Sequence, residues 1–327
     1  MRYFKRVTFL CVLISFSLIT QGFAMHWVLK KSKPAIVVAS FGTAYPKALR
    51  SLLNIRNGIQ KAFPNAIVKM AFTSNIIRTI WHKRQHDPKW TKRKDIPKDI
   101  FYVKSPLAAI ADLQDEGYAT IIVQPTHFYA GEEFMDLCSY VNGLNSIKTI
   151  KKKYMPFDKL VIGRPLTGKW GVEHNYHEDM KATARALKRD VELARRKHAA
   201  LVYMGHGNEY LSTGIYAQLQ EIMRRMYPHT KIFIGTVEGY PSLDDVVRAL
   251  VHSKVKRVVL KPLMMVAGDH ANNDMAGPDK DSWMSVIRSE GIKVYPIIEG
   301  LGENPKIVKI FVQHVKDAAE DNHISLR

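Results

Sequence analysis

The stretch Ala199-Ala-Leu-Val-Tyr-Met-Gly-His206 ends a short apolar run in a histidine that lies between two glycines. Two more apolar runs follow, and polar clusters containing Glu238 and His270 come after them. His206, Glu238 and His270 are separated by equal intervals of 32 residues. A strand, a helix and their two loops together take about 30 residues. The spacing therefore predicts parallel strands whose ends meet at one edge of a sheet.

Two imidazoles and one carboxylate at such an edge predict a site for a divalent transition metal with an open coordination position. Taken singly, a histidine after a strand is more often a hydrogen-bonded structural residue, and Glu238 is equally suited to a turn or a helix cap. The equal spacing of the three residues supports the metal site more than any one of them does.

Apolar runs and helical periodicity alternate along the whole chain, which predicts an α/β fold with parallel sheets covered on both faces. Residues 87–98 contain prolines and lysines and are predicted to be an exposed insertion. The predicted strands are 36–41, 66–72, 119–124, 159–163, 199–204, 231–235, 257–266 and 292–297. The predicted helices are 45–63, 76–86, 106–116, 132–150, 174–198 and four that begin near residues 216, 242, 281 and 304.

The two halves of the chain also resemble each other, because residues 124–133 match residues 261–270. This match places Glu133 opposite His270, and the strand spacing places Thr43 opposite His206 and Asn75 opposite Glu238. We therefore predict a duplicated unit with two lobes, residues 34–170 and 171–327, and a cleft between them. Only the second lobe carries metal-type ligands.

Residues 1–24 have the pattern of a cleavable secretory signal: Arg2, Lys5 and Arg6, an apolar run over residues 7–19, and small residues at 22–24. The alternative is an uncleaved N-terminal anchor. Either interpretation predicts an exported, periplasmic protein, and no other stretch is long and apolar enough to span a membrane. Cys138 remains alone once Cys11 leaves with the signal, so an internal disulfide is not expected.

The formal net charge is +19, concentrated in residues 83–98 and 148–153. Nucleic acid is disfavoured as a partner because the chain has no nucleic-acid-binding motif and an export signal. An acidic small molecule is compatible with the charge. His82 and His86 lie four apart on a predicted helix, so a haem or surface metal site there is an alternative to two solvated side chains. The basic insertion and residues 174–198 offer surface for a homo-oligomer.

Several blocks of sequence resemble the anaerobic sirohydrochlorin cobaltochelatase family, a class of tetrapyrrole chelatases. The resemblance covers roughly residues 34–320. The blocks are Ser40-Phe-Gly-Thr43, Ala71-Phe-Thr-Ser74, Met204-Gly-His-Gly207, Val237-Glu-Gly-Tyr-Pro241, Leu263-Met-Met-Val-Ala-Gly-Asp-His-Ala-Asn-Asn-Asp274, Asp281-Ser-Trp283 and Gly300-Leu-Gly-Glu-Asn-Pro305.

This resemblance implies two flavodoxin-like lobes around an acidic tetrapyrrole, and an enzyme of anaerobic cobalamin biosynthesis that inserts Co2+, with Fe2+ or Ni2+ as other candidate ions. It implies that His206, Glu238 and His270 hold the incoming ion and that His206 accepts a proton. Taken from the residues themselves, Asp269, Asn272, Asn273 or Asp274 are candidates to orient His270, and they are equally suited to cap the next helix. The residues expected to contact the substrate are Phe41, Gly42, Thr43, Thr73, Ser74, Gly207, Met265 and Asp269.

Two other functions remain open at this point. An exported two-lobed protein can bind a metal or haem and carry it without turnover. The same three ligands can also activate water in a metal-dependent hydrolase, with Glu209 as the nearby acid or base.

Overall fold

The computed structural model describes residues 30–210 and 212–326, and these residues contain eight strands in two parallel four-stranded sheets. The predicted signal at 1–24 lies outside the described residues. The strands are β1 Ala35–Ser40, β2 Ile67–Phe72, β3 Thr120–Pro125, β4 Lys159–Ile162, β5 Ala200–Gly207, β6 Ile232–Glu238, β7 Arg257–Pro262 and β8 Lys293–Pro296.

The two sheets have the same topology, which confirms the predicted duplication. The first has the order β2-β1-β3-β4 and the second has the order β6-β5-β7-β8. This is the strand order of flavodoxin-like folds, in which ligands bind outside the carboxyl ends of the strands. The sheets are parallel throughout, so all strands of one lobe end at the same edge.

Helices cover both faces of each sheet, and many of them begin at a residue whose side chain caps the helix. Ser242, for example, caps its helix in a reciprocal pair with Asp245. The helices are α1 Pro46–Ala62, α2 Asn75–Arg84, α3 Pro88–Thr91, α4 Pro106–Asp115, α5 Glu132–Asn145, α6 Tyr176–Ala186, α7 Lys188–Arg196, α8 Gly214–Met226, α9 Leu243–His252, α10 Trp283–Ser289 and α11 Pro305–Asp321. Within residues 30–210 and 212–326, none of them has the length and apolar character needed to cross a bilayer.

The single helix predicted for residues 174–198 is wrong, because α6 and α7 are separate helices that meet at Leu187. Beyond this break, the buried carboxylate of Asp190 is directed at the second sheet. It accepts hydrogen bonds from the Tyr203 hydroxyl at 2.8 Å and from Nζ of Lys261 at 2.7 Å. The break at Leu187 and the burial of Asp190 thus occur together at the start of α7.

The insertion at 87–98 is only partly exposed. It contains the short helix α3, Trp90 packs edge-on against Trp81 with ring centroids 6.2 Å apart, and Ile96 is buried. The preceding helix α2 ends at Arg84 instead of residue 86, so His82 and His86 do not share a helix face. Nε2 of His82 lies 2.8 Å from the carbonyl oxygen of Val103.

Other boundaries shift as well: β5 and β6 run three residues further than predicted, to Gly207 and Glu238, and two elements end earlier than predicted. Strand β7 ends at Pro262 instead of residue 266, since a proline has no N–H with which to continue the ladder. Helix α5 ends at Asn145 instead of residue 150, and Asn145 turns back to donate to the carbonyl oxygen of Leu160 at 2.6 Å.

The last helix, α11, packs against α1 of the first half, and Ile307 and Phe311 belong to the same buried cluster as Ile55 and Ile59. The core is therefore shared between the halves of the sequence. The division into lobes at residues 170 and 171 stays a prediction.

Candidate functional site

A cleft of about 400 Å³ lies between the carboxyl edges of the two sheets, and its walls are mostly apolar. Such a volume is in the range of small-molecule sites. Loops of both halves contribute to it, as expected from two lobes of the same topology. The lining residues are 41–45, Leu52, Ile76, Ile77, Ile80, 126–129, Glu133, 206–207, Tyr216, 263–266 and 268–270.

The structure brings together the three predicted metal ligands. His206 lies at the end of β5, Glu238 ends β6, and His270 follows β7 after a loop. The rings of His206 and His270 are perpendicular with centroids 4.9 Å apart, and Nδ1 of His206 is 3.9 Å from Oε2 of Glu238. The side chains are 38%, 37% and 48% exposed for His206, His270 and Glu238. All three are accessible to an ion that arrives from solvent.

These side chains are neighbours without forming a closed cage. In the part of the chain that the structure describes, no group of three or more His, Cys, Asp and Glu side chains is already arranged around one metal position. A structural metal site would be closed by four ligands. The described residues therefore form no closed structural metal site here.

Hydrogen bonds orient both imidazoles. Nδ1 of His270 faces a carboxylate oxygen of Asp274, which can only accept, so Nδ1 carries the proton and Nε2 has a free lone pair. Nδ1 of His206 lies 3.1 Å from the carbonyl oxygen of Gly207, which assigns the same tautomer to that ring. Of the four candidates to orient His270, Asp274 is the one that contacts its ring.

Gly207 keeps His206 beside Glu238. Its φ is +88°, and a Cβ at this position would lie 1.7 Å from the carbonyl oxygen of Glu238. Gly207 and Glu238 are paired in the β5–β6 register. Only glycine allows this approach of the two strand ends.

Most of the residues expected to contact the substrate line the cleft. Thr73 and Ser74 are not among the lining residues, and Ser74 instead caps α2 by accepting a bond from the Ile77 amide at 3.4 Å. Glu238 lies beside the cleft, at the ring of His206, and is not in its lining. The expected residues that do line it are Phe41, Gly42, Thr43, Gly207, Met265 and Asp269.

Two polar contacts join the lobes across the cleft. The Tyr45 hydroxyl donates to Oδ1 of Asp269 at 2.7 Å, and the Tyr210 amide donates to Oε1 of Glu132 at 3.1 Å. The bond to Asp269 raises the pKa of Tyr45. Asp269, which also accepts from Asn273 at 2.9 Å, therefore connects the two walls.

The wall opposite the metal ligands contains polar residues to which the sequence analysis gave no role. Burial lowers the pKa of His127 to about 4, and neither ring nitrogen has a hydrogen-bond partner within the described residues. Burial, and then the charges of Glu133, Glu132 and Glu238, raise the pKa of Tyr129. His127 lies two residues beyond the end of β3, in the segment 124–133 that matches 261–270, and its counterpart Met264 also lines the cleft, so the internal match would have indicated this wall.

Comparisons with known proteins agree with this architecture. The family described as Cobalt chelatase (CbiK) matches residues 34–320. A sirohydrochlorin cobaltochelatase of Salmonella typhimurium is 31% identical over 88% of this chain and 96% of its own length. The sirohydrochlorin cobaltochelatase CbiKC of Nitratidesulfovibrio vulgaris is 30% identical over 89% of this chain and 92% of its own length.

Among solved structures, the sirohydrochlorin chelatase SirB of Bacillus subtilis subspecies spizizenii, in complex with cobalt, aligns with a TM-score of 0.52 at 12% identity. The alignment covers 89% of this chain and 97% of that one, which supports the same fold. The sequence matches extend over nearly all of the described residues, both lobes included. The chain therefore belongs to the CbiK family of cobalt chelatases.

Proposed function

We propose that this chain is a sirohydrochlorin cobaltochelatase that inserts Co2+, with Fe2+ as the alternative ion, into an acidic tetrapyrrole of anaerobic cobalamin biosynthesis. One observation carries the proposal: His206 and His270 line a cleft with apolar walls between the lobes, and Glu238 lies beside it at the ring of His206. Such a cleft suits a flat macrocycle, and the open ligand set suits an ion on its way to four ring nitrogens. The net charge of +19 is compatible with an acidic substrate.

In this mechanism the ion is a substrate. His270 offers the lone pair of Nε2, because Asp274 holds the proton of this imidazole on Nδ1. His206 and Glu238 complete the first set of ligands. Imidazole and carboxylate ligands can bind a divalent first-row ion and release it again. The availability of the metal decides which ion is used.

Insertion of a divalent ion releases two protons from the pyrrole nitrogens. We assign His206 as a proton acceptor, since it is at the ligand cluster and 38% exposed, so its proton can pass to solvent. His127 is the other imidazole of the cleft, and burial lowers its pKa to about 4, which makes it a weak base near neutral pH. His206 is therefore favoured over His127 as the proton acceptor.

The macrocycle would lie between Phe41 of the first lobe and Met265 of the second, both of which line the cleft. Phe41 is 48% exposed, an uncommon state for a large apolar side chain, and a flat substrate would cover it. Thr43 and Asp269 also line the cleft and offer hydrogen bonds to the substrate.

Turnover with metal-free sirohydrochlorin tests the proposal. Under anaerobic conditions, Co2+ or Fe2+ is added and the absorption of the macrocycle is followed through many equivalents of substrate per enzyme. We expect multiple turnovers in the wild type and a loss of at least about 100-fold in His206→Ala and His270→Ala. His229→Ala is the matched control, because His229 is exposed and lies before β6, at the edge of the sheet away from the cleft.

Binding of one equivalent of metal or tetrapyrrole without turnover would overturn the proposal and indicate a carrier. Wild-type rates in both histidine variants would overturn the assignment of the site.

We also propose export to the periplasm, on the signal pattern of residues 1–24. Expression of the full chain in a Gram-negative host, fractionation and mass determination of the N-terminus test it. A protein that begins near residue 25 in the periplasmic fraction is expected. An unprocessed protein in the cytoplasm contradicts it.

A further inference from the structure

A basic loop with exposed apolar side chains lies at the amino edge of the first sheet, the edge opposite the cleft. Residues 147–154 of this loop connect α5 to β4 and contain Lys148, Lys151, Lys152 and Lys153. The apolar side chains of this segment point outward: Ile150 is fully exposed, Tyr154 is 52% exposed and Ile147 is 44% exposed. Exposed isoleucine and tyrosine among lysines are typical of surfaces that bind the interface of a membrane.

The described chain begins at this same edge. Nζ of Lys30 lies 2.5 Å from Oδ1 of Asp158, the residue before β4, and the Lys31 amide donates to Gly117 at 2.8 Å. The 29 residues that precede Lys30, with their apolar run at 7–19, therefore join the fold beside the loop. A membrane into which residues 1–29 insert would therefore lie on the side of the fold that carries the loop.

The charge of this edge is positive. Lys30 pairs with Asp158, and Lys69 lies 3.8 Å from Glu116. Nζ of Lys159 donates to the carbonyl oxygens of Asn322 and His323, which brings the end of α11 to this edge. There, Asp321 lies 2.8 Å from His174 and Glu320 lies 3.5 Å from Lys316. Lys148 donates to the carbonyl oxygen of Asn145, at 3.3 Å. Among residues 30–210 and 212–326, no carboxylate lies within 4.0 Å of Lys151 or Lys152, so both charges are available to a partner.

We infer that residues 147–154, together with Lys31 and Lys33, form a docking surface for an anionic lipid bilayer. The lysines attract acidic headgroups, and Ile150 and Tyr154 enter the interface between headgroups and acyl chains. The cleft lies at the other edge of the sheet, so docking leaves it open to metal and tetrapyrrole. The inference is independent of the chelatase proposal.

Cosedimentation with vesicles tests the inference. The full chain, in the form that its host releases, is mixed with vesicles of phosphatidylcholine alone or of equal parts phosphatidylcholine and phosphatidylglycerol. The readout is the excess binding to the anionic vesicles, so any contribution of residues 1–29 to neutral vesicles cancels. We expect an excess in about 0.1 M salt that disappears in about 1 M salt.

The variant Lys151→Glu/Lys152→Glu should require at least about tenfold more anionic lipid for half-binding, and Ile150→Ser about threefold more. Lys151→Gln/Lys152→Gln serves as a milder variant should the double reversal unfold the protein. Lys92→Glu/Lys94→Glu is the matched control, since it reverses two exposed lysines in the insertion that packs near the cleft. This control variant should bind the anionic vesicles in the same excess over neutral vesicles as the wild type does.

Equal binding to both vesicle types would overturn the inference, as would loop variants that bind like the wild type. So would a wild type that binds an oligonucleotide duplex through this loop and ignores both vesicles. Chelatase turnover of the loop variants should equal that of the wild type, which separates this inference from the proposed function.

Discussion

The carboxylate of Asp274 accepts a hydrogen bond from Nδ1 of His270. Residues 271–275 form a π-helical turn directly after His270, and on a helical turn the side chain four positions on lies beside the first. The hydrogen bond fixes both the tautomer and the orientation of the ring. Asp274 is thus a positioning residue for the proposed metal ligand.

Replacement of Asp274 should raise the KM for the metal ion without removing one of its ligands. We expect Asp274→Ala to raise the KM for Co2+ by about 10- to 100-fold, with a smaller effect on the KM for the tetrapyrrole. Asp274→Asn should stay within a few-fold of the wild type, since its amide oxygen still accepts from Nδ1. Steady-state kinetics with each substrate varied in turn measures both.

Asp279→Ala is the control for this pair of variants. Asp274 and Asp279 both line a second cavity, beside the cleft, that contains several carboxylates. Asp279 is exposed and does not contact His270. Equal effects of Asp274→Ala and Asp279→Ala would indicate a loss of local charge and contradict the positioning role.

Gly207 and Gly291 both have a left-handed backbone conformation, but only Gly207 lies at the site. Alanine variants at the two positions therefore separate the need for close strand pairing at the site from the general cost of that conformation. Both have positive φ, +88° and +71°, but a Cβ on Gly207 would meet the Glu238 carbonyl oxygen at 1.7 Å whereas none of the described atoms lies within 4 Å at Gly291. We expect Gly291→Ala to cost about 1 kcal/mol of unfolding free energy.

Gly207→Ala should cost at least about 2 kcal/mol and abolish turnover, because the ends of β5 and β6 must separate. Urea unfolding and the chelatase assay, run on both variants, provide the comparison. Turnover in Gly207→Ala at the wild-type rate would refute the requirement for close pairing at this point.

The bond between Tyr45 and Asp269 predicts a role in closing the cleft. Tyr45→Phe removes a hydrogen bond to a partly exposed carboxylate, so we expect the KM for the tetrapyrrole to rise about fivefold with little change in kcat. Tyr102→Phe, at a tyrosine that is 63% exposed, is the control. A spectroscopic titration adds a second readout: since Asp269 raises the pKa of Tyr45, the pKa of this phenol should fall in Asp269→Asn.

The parts of the site that the sequence predicts are those set by local periodicity. His206, Glu238 and His270 were found because each strand–helix repeat returns the chain to the same edge, and this holds whatever the helices pack against. The same argument predicted the duplicated α/β fold. Which of the four polar residues near His270 orients it was not predicted, because no helical turn was expected at 271–275. Once that turn is known, the four-residue separation indicates Asp274.

The features that the sequence did not predict depend on contacts between distant residues. Tyr45 and Asp269 are 224 positions apart, and no local pattern joins them. The break at Leu187 falls in a continuous amphipathic pattern without proline or glycine. It becomes understandable only from the burial of Asp190 against Tyr203 and Lys261.

A buried network at Asp179 predicts how stability depends on pH. Arg164 donates to both oxygens of Asp179, at 2.6 and 3.1 Å, and Nε2 of His314 lies 3.2 Å from Oδ1. Burial by itself would raise the pKa of Asp179, but the hydrogen bonds from His314 and Arg164 outweigh it, so the pKa is lowered. The network links α6 and the end of β4 to α11.

A carboxyl group with a lowered pKa stabilises the fold above its unfolded pKa, near 3.8, and this stabilisation is lost as the pH falls through its folded pKa. Asp179→Asn should therefore lower the free energy of unfolding by about 3 kcal/mol at pH 7, because Arg164 and His314 lose a buried acceptor. The difference from the wild type should shrink as the pH approaches about 3. Urea unfolding at both pH values measures it.

The neighbouring Glu178→Gln is the control, because Glu178 is 60% exposed and pairs only with the exposed Lys181. Its free energy of unfolding should match the wild type at pH 7. A constant difference between Asp179→Asn and the wild type from neutral to acid pH would mean that Asp179 stabilises the fold by packing alone, and that its ionisation contributes nothing to the link between the lobes.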